Sequence, residues 1–258
     1  DPMWDWGNRR VERLAVQQLR GTGGYVANVS LGIRPELASF DRVLGGPSQQ
    51  SRYIEVDGTP EEQRAAWEAL WYTIEVLRIL THMEKAWELL FSAPCAAVLR
   101  SEQRVTLPGE ASKVAWQGGD ATPEVCALAD WRDKFYVREA MQSGLYAALQ
   151  ALFPDLPPLV LIAIAELMTY ICTACVKGKE WRGQSKWYAS DNSNTVGWLR
   201  DRYSQHPLVQ FLLRILGVAE STCGFDTVGS YIRTYHNETN DLFSRLGQEQ
   251  IEALAEEK

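Results

Sequence analysis

Leu159-Val160-Leu161-Ile162-Ala163-Ile164-Ala165-Glu166-Leu167-Met168-Thr169-Tyr170-Ile171-Cys172-Thr173-Ala174-Cys175-Val176 is the stretch on which the reading of this chain turns. Its apolar run is interrupted by Glu166, Thr169 and Tyr170. The run is only just long enough to cross a bilayer, and a central carboxylate disfavours insertion. It therefore reads as a helix buried in a soluble core. Glu is seldom buried without a partner, and neither Lys nor Arg stands one turn away on either side. A carboxylate in such a place asks for a function.

The flanks of this helix set the fold class. Residues 113–119 and 125–131 read as strands, the second alternating Val125, Ala127, Ala129 against Cys126, Leu128, Asp130. A short strand follows at 135–138 and a helix at 145–153. Beyond the apolar helix come a strand at 186–189, a helix from about Thr195 and a helix at 208–216. A strand at 230–235 and a last helix at 239–246 complete the series. Strands first, then helix alternating with strand, make an α/β mixed sheet with flanking helices.

The part before it is mainly helical. Residues 8–44 read as two helices broken near Gly21-Thr22-Gly23-Gly24, with Pro35 starting the final segment. Residues 45–58 have loop or hairpin composition. Thr59-Pro60-Glu61-Glu62 opens a helix with a Thr cap, Pro in the first turn and acids at the positive dipole end. Trp67, Leu70, Trp71, Ile74 and Leu77 form its apolar stripe. With Pro94 and Pro108-Gly109 as punctuation, the expected organisation is a helical region over 1–110, a sheet domain over 111–247 and an acidic tail over 248–258.

Composition bounds the function. The 258 residues carry 26 Lys+Arg against 33 Asp+Glu, a formal charge of −7. Residues 111–247 hold 13 basic and 14 acidic side chains, so most of the excess acidity lies outside them. This argues against a protein that coats phosphates with surplus Lys and Arg. Five cysteines do not make a disulfide framework and fit a reducing, intracellular setting, cytoplasm or nucleus. Cys172 and Cys175 form a CxxC without a second pair or nearby His, and read as buried helix-face thiols. No secretory signal is visible, and no membrane partner is expected. The chain starts at Asp1 rather than Met, so it reads as a processed product or as part of something longer.

Four acids sit where structural acids are not expected. Asp120 ends a strand in Trp116-Gln117-Gly118-Gly119-Asp120-Ala121-Thr122, and Glu166 lies in the apolar helix. Asp191 follows the strand Trp187-Tyr188-Ala189-Ser190 and precedes Asn192. Asp241 opens the last helix, in His236-Asn237-Glu238-Thr239-Asn240-Asp241-Leu242-Phe243-Ser244-Arg245. Taken singly, Asp120 and Asp191 also read as turn or cap residues and Asp241 as a helix-dipole acid.

In this order the four resemble the acidic pattern of ribonuclease H, specifically the domain found in retroelement reverse transcriptases. Asp120-Ala121-Thr122, Glu166-Leu167, Ser190-Asp191-Asn192 and Asn237-x-x-x-Asp241 with Ser244-Arg245 carry the resemblance, over about residues 111–247. Pro123-Glu124 departs from the family's glycine at the first hairpin. Leu19-Arg20-Gly21-Thr22-Gly23-Gly24-Tyr25, Pro35-Glu36-Leu37, Leu44 and the helix from Thr59 to Leu70 are similar to the thumb and connection helices of such enzymes. No aromatic-x-Asp-Asp polymerase motif occurs.

The resemblance implies a ribonuclease H-like fold and two-metal hydrolysis of the RNA strand of an RNA–DNA hybrid. Asp120, Glu166, Asp191 and Asp241 would hold two Mg²⁺ or Mn²⁺ ions, as hard cations select carboxylate oxygens. Asn192, Asn237 and His236 become candidate ligand-orienting or substrate residues, the two Asn doubling as candidate caps. Lys177, Lys179, Arg182 and Lys186 form a basic cluster that could track phosphates, or simply a solvated loop. Trp181, Trp187 and Trp198 read as core. The implied partners are the hybrid and either the polymerase portion of a reverse transcriptase or a larger ribonucleoprotein. The competing reading is a domesticated copy kept as a structural or RNA-binding subunit of a larger assembly.

Overall fold

The computed structural model describes residues 4–5, 9–27, 31–45, 51–82, 114–122, 125–130, 135–140 and 145–256. The expected boundary between residues 110 and 111 and the Pro123-Glu124 departure lie outside them.

Five strands make one mixed sheet in the order β5-β4-β3-β6-β7. These are β3 (Val114–Ala121), β4 (Val125–Asp130), β5 (Phe135–Ala140), β6 (Ser185–Ser190) and β7 (Asp226–Tyr231). The pairs β3–β4 and β4–β5 are antiparallel, while β3–β6 and β6–β7 are parallel. In the antiparallel half, Thr122 N–H donates to the Val125 carbonyl at 2.7 Å where β3 and β4 adjoin. The parallel half needs crossover helices. These are α4 (Leu145–Leu152) with α5 (Pro158–Lys177), and then α6 (Ser193–Asp201) with α7 (Pro207–Cys223).

Alternation along the strands sorts the two faces. Leu128 and Tyr188 point to one face and pack with Leu161, Ile164, Leu167 and Tyr170 of α5 and with Leu213 and Leu216 of α7. Trp181 and Trp187 are buried and Trp198 packs against the same core. Across the other face, at β3 and β4, lies α8 (Glu238–Arg245). Among the described residues α5 is the one helix long and apolar enough to cross a membrane, yet most of it is packed inside.

Cys172 and Cys175 are exposed rather than buried. They lie on the outward side of α5 with Leu159 and Val176, because its buried side is already filled by Leu161, Ile164, Leu167 and Ile171. The four described cysteines are free thiols.

The N-terminal region has its own core, in which Val16, Phe40, Val43, Ile54, Trp67 and Leu70 meet. Two strands of two residues each, β1 (Trp4–Asp5) and β2 (Arg10–Val11), pair antiparallel ahead of the helices α1 (Arg13–Val26), α2 (Arg34–Leu44) and α3 (Pro60–His82). The start of α3 is a capping box: Glu62 N–H donates to Thr59 Oγ1 at 3.3 Å and Thr59 N–H to Glu62 Oε2 at 2.8 Å. Trp71 does not join its stripe and is 48% exposed.

The break expected at Gly21–Gly24 does not occur; α1 runs through it. Gly23 is there for packing, since a Cβ would press on Leu37 of α2. The two regions of the chain are joined closely. Arg214 of α7 donates to Glu36 and Thr73, and Gln210 to the Pro35 carbonyl. Gly32 and Gly217 meet backbone to backbone, where neither could carry a Cβ.

Two further boundaries move. The last strand is Asp226–Tyr231, four residues earlier than the aromatic and β-branched run 230–235 suggests. Gly224, at φ 77°, ends α7 in the left-handed region and sends the chain directly into β7. Residues 248–256, expected as a tail, form α9 (Gln248–Glu256), because Ile251 is fully buried.

Candidate active site

The parallel register brings the carboxylates to one edge of the sheet. Gly118 pairs with Ala189, so Asp120, two residues further along β3, is level with Asp191 just past the end of β6. Glu166 reaches the same edge from α5, and Asp241 from α8 on the opposite face. All four acids expected from sequence therefore gather where β3 and β6 end.

Glu166 is 2% exposed. Its Oε2 accepts from Ser190 Oγ at 2.9 Å and from Thr195 Oγ1 at 3.1 Å. Burial pushes its carboxyl up to about 8; the charges of Asp120 and Asp191 add to this, and the two hydroxyls oppose it. Burial also raises Asp120, opposed by the hydrogen bond from Ser244 and reinforced by the charges of Asp191 and Asp241. The acids thus feel one another, and no Lys, Arg or His among the described residues pairs with Glu166 or Asp120.

Each acid instead has a protein donor. Ser244 Oγ donates to Asp120 Oδ2 at 2.5 Å, and Arg245 pairs with Asp241 Oδ1 at 2.6 Å. Asn237 is buried; its Nδ2 donates to the Gly119 carbonyl at 3.3 Å and to Asp191 Oδ1 at 3.4 Å. Its own Oδ1 accepts from Asn240 Nδ2 at 2.7 Å, which fixes the amide. Asn237 thereby ties β3, the β6 end and α8 together. Held this way, no three His, Cys, Asp or Glu side chains among the described residues stand close enough to hold a metal ion.

The chemistry of the donor set nonetheless fits a hard divalent cation: four mutually repelling carboxylates, two with raised proton affinity, and no buried base to neutralise them.

The remaining candidates divide. Asn192 is the N-cap of α6, accepting from Asn194 N–H at 3.1 Å. His236 is exposed on the short 3₁₀ turn Thr234–His236, next to Asn237. Lys186 must be withdrawn from the substrate-binding set: it is fully buried, 2.9 Å from Asp130 Oδ2 and over the Trp181 ring. Lys179 and Arg182 are exposed but sit before Ser185. A six-residue strand spans roughly 17 Å, so they stand at the far end of β6 from Asp191. Lys177 is held there by Glu180 at 3.1 Å.

Sequence reading missed several residues that shape the edge. Ser190 and Ser244 entered only as parts of the quoted motifs and Thr195 only as a helix start, none with a role at the site. Tyr188 lies beneath Gly119, where a Cβ would overlap its hydroxyl, so Gly119 is what lets β3 carry Asp120 past that ring. Strand alternation alone puts Tyr188 and Ser190 on the Glu166 face, a signal that could have found them.

No protein-family model matches this sequence, and no curated protein matches it.

Proposed function

We propose that this chain is a ribonuclease H-type endonuclease that cleaves the RNA strand of RNA–DNA hybrids, as part of an intracellular retroelement reverse transcriptase. The observation that carries the reading is the convergence of Asp120, Glu166, Asp191 and Asp241 on one sheet edge without a buried base. The sheet is compatible with it: three antiparallel strands followed by two parallel ones, in the order β5-β4-β3-β6-β7, with helices packed on them, make the mixed α/β sheet that this reading expects.

On this reading Asp120, Glu166, Asp191 and Asp241 would hold Mg²⁺ or Mn²⁺. Such ions, when bound, activate water and stabilise charge on the leaving oxygen of a phosphodiester. The chain's own residues prepare the place. Ser190 and Thr195 fix the Glu166 carboxyl, and Asn237 orients Asp191. Ser244 holds Asp120, and Arg245 holds Asp241. Discrimination for the RNA strand would come from 2′-hydroxyls and duplex shape.

The structural-subunit reading is favoured by one observation: the Asp241–Arg245 pair and the hydroxyl partners leave no ready-made ligand group. A labelled RNA–DNA hybrid separates the two. The nuclease reading expects cleavage that needs Mg²⁺ or Mn²⁺ and falls on the order of 10³-fold or more in Asp191→Asn, with folding unchanged. A folded wild-type chain that leaves the hybrid intact in both metals sinks that reading.

A further inference from the structure

We propose that Tyr231, Arg233, Tyr235 and His236 form a stacking platform for an unpaired stretch of nucleic acid leading to the carboxylate edge. The proposal rests on the nuclease reading for its substrate and adds a binding site that cleavage itself does not require.

The segment is anchored beside Asp191 at both ends. Tyr231 pairs in register with Ser190, and Ile232 N–H donates to the Ser190 carbonyl at 3.1 Å. Five residues later Asn237 returns to Asp191. Between these ties the chain stands out from the sheet edge. Tyr231 is 52% and Tyr235 58% exposed, and Arg233 and His236 are exposed with them. None of these rings serves the core of the sheet domain.

The group is organised before any ligand arrives. Arg233 Nη1 donates to Tyr235 Oη at 2.8 Å, and the guanidinium lies 5.8 Å from that ring's centroid. The rings of Tyr235 and His236 are 4.2 Å apart, tilted by 51°. Arg233 forms no ion pair among the described residues, so its charge is available to a phosphate. Exposed aromatic faces next to a cation suit unstacked bases, because every base offers a π-face. A duplex hides those faces inside its stack. The chemistry therefore selects single-stranded nucleic acid, from either an RNA or a DNA overhang.

Fluorescence anisotropy at low ionic strength, with EDTA to prevent cleavage, tests this on the full chain. Three hybrids are compared: blunt, with an RNA overhang of about five nucleotides, and with a DNA overhang of the same length. At least one overhang should bind about tenfold tighter than the blunt hybrid, and the arm that does names the strand. Tyr235→Ala combined with Arg233→Ala should cut that advantage to about twofold or less, while Tyr235→Phe keeps most of it. Equal affinity for all three hybrids, or an advantage that survives the double substitution, overturns the platform. Cleavage of the blunt hybrid with no overhang preference removes the platform and leaves the nuclease. An overhang preference without cleavage in Mg²⁺ or Mn²⁺ leaves the platform and removes the nuclease.

Discussion

Buried acids elsewhere in this molecule are neutralised by a base, while Glu166 and Asp120 at one sheet edge are not. Asp130 holds Lys186 at 2.9 Å, Glu220 holds Arg202 at 2.7 Å, and Glu36 holds Arg214 at 2.8 Å. Glu166 is as buried as Glu36, yet its partners are two hydroxyls. The contrast matters because the same chain solves the same electrostatic problem in two ways. A buried ion pair offsets desolvation with attraction. Carboxylates held by hydroxyls alone, as Glu166 and Asp120 are, offset it less fully, and taking up a proton or a cation completes the compensation. The first arrangement is sufficient for a fold; the second has a use only where something positive arrives.

The largest effect should come from breaking a paired acid. Lys186→Met leaves Asp130 buried without its ammonium partner, although Gln117 Nε2 still donates to it. We expect a loss of about 3–5 kcal/mol in urea unfolding, with most of it recovered in the Lys186→Met, Asp130→Leu double variant. A single variant as stable as the wild type would mean that the pair is not what makes burial of Asp130 tolerable.

The unpaired acid should respond with the opposite sign. With its folded-state carboxyl at about 8, above the ordinary 4.5, Glu166 binds more protons folded than unfolded. Its favourable contribution is complete below about pH 4.5 and is lost as pH rises through 8. Glu166→Gln keeps an acceptor for Ser190 and Thr195 and removes the charge. The variant should therefore lack that decline and exceed the wild type by roughly 2–4 kcal/mol at pH 8, with the two converging near pH 4. Parallel stability curves across that window would remove the premise that Glu166 is an uncompensated acid.

Much of this contrast was legible in the sequence. Glu166 declared itself because an apolar helix with no Lys or Arg a turn away contains it, and the order Asp120, Glu166, Asp191, Asp241 located the edge. The mixed sheet followed from strand and helix order. What could not be read was pairing across the sheet. Lys186 resembled a loop cation because it follows Lys177, Lys179 and Arg182, but strand alternation turns it inward onto Asp130. Gly21–Gly24 resembled a helix break because local propensity cannot register that Leu37 of a later helix needs the space at Gly23. The acidic end resembled a solvated tail because of its charge, but it is helical and Ile251 in it is fully buried. In each case a contact distant in sequence overrode a local preference.

The smallest effect discriminates the two networks most directly. A cation that binds the folded chain alone stabilises it by RT ln(1 + [L]/Kd), about 1.4 kcal/mol at ten times Kd. For a domain of this size that is a Tm increase of roughly 3–5 °C. Mg²⁺ or Mn²⁺ should give this increment to the wild type and also to Lys186→Met, whose defect lies at a pair that has no use for an ion. Asp120→Asn and Asp191→Asn should lose it, since each removes one of the carboxylates that would hold the cation. Glu166→Gln is informative in a different way: it should begin more stable at pH 8 yet gain less from metal, because the repulsion the ion would relieve is already reduced. An increment that persists unchanged in Asp120→Asn and Asp191→Asn would place the cation elsewhere, and the unneutralised edge would lose its functional explanation. An increment confined to the edge, with the Lys186–Asp130 pair indifferent to metal, would make the two ways of burying an acid separable by one ion.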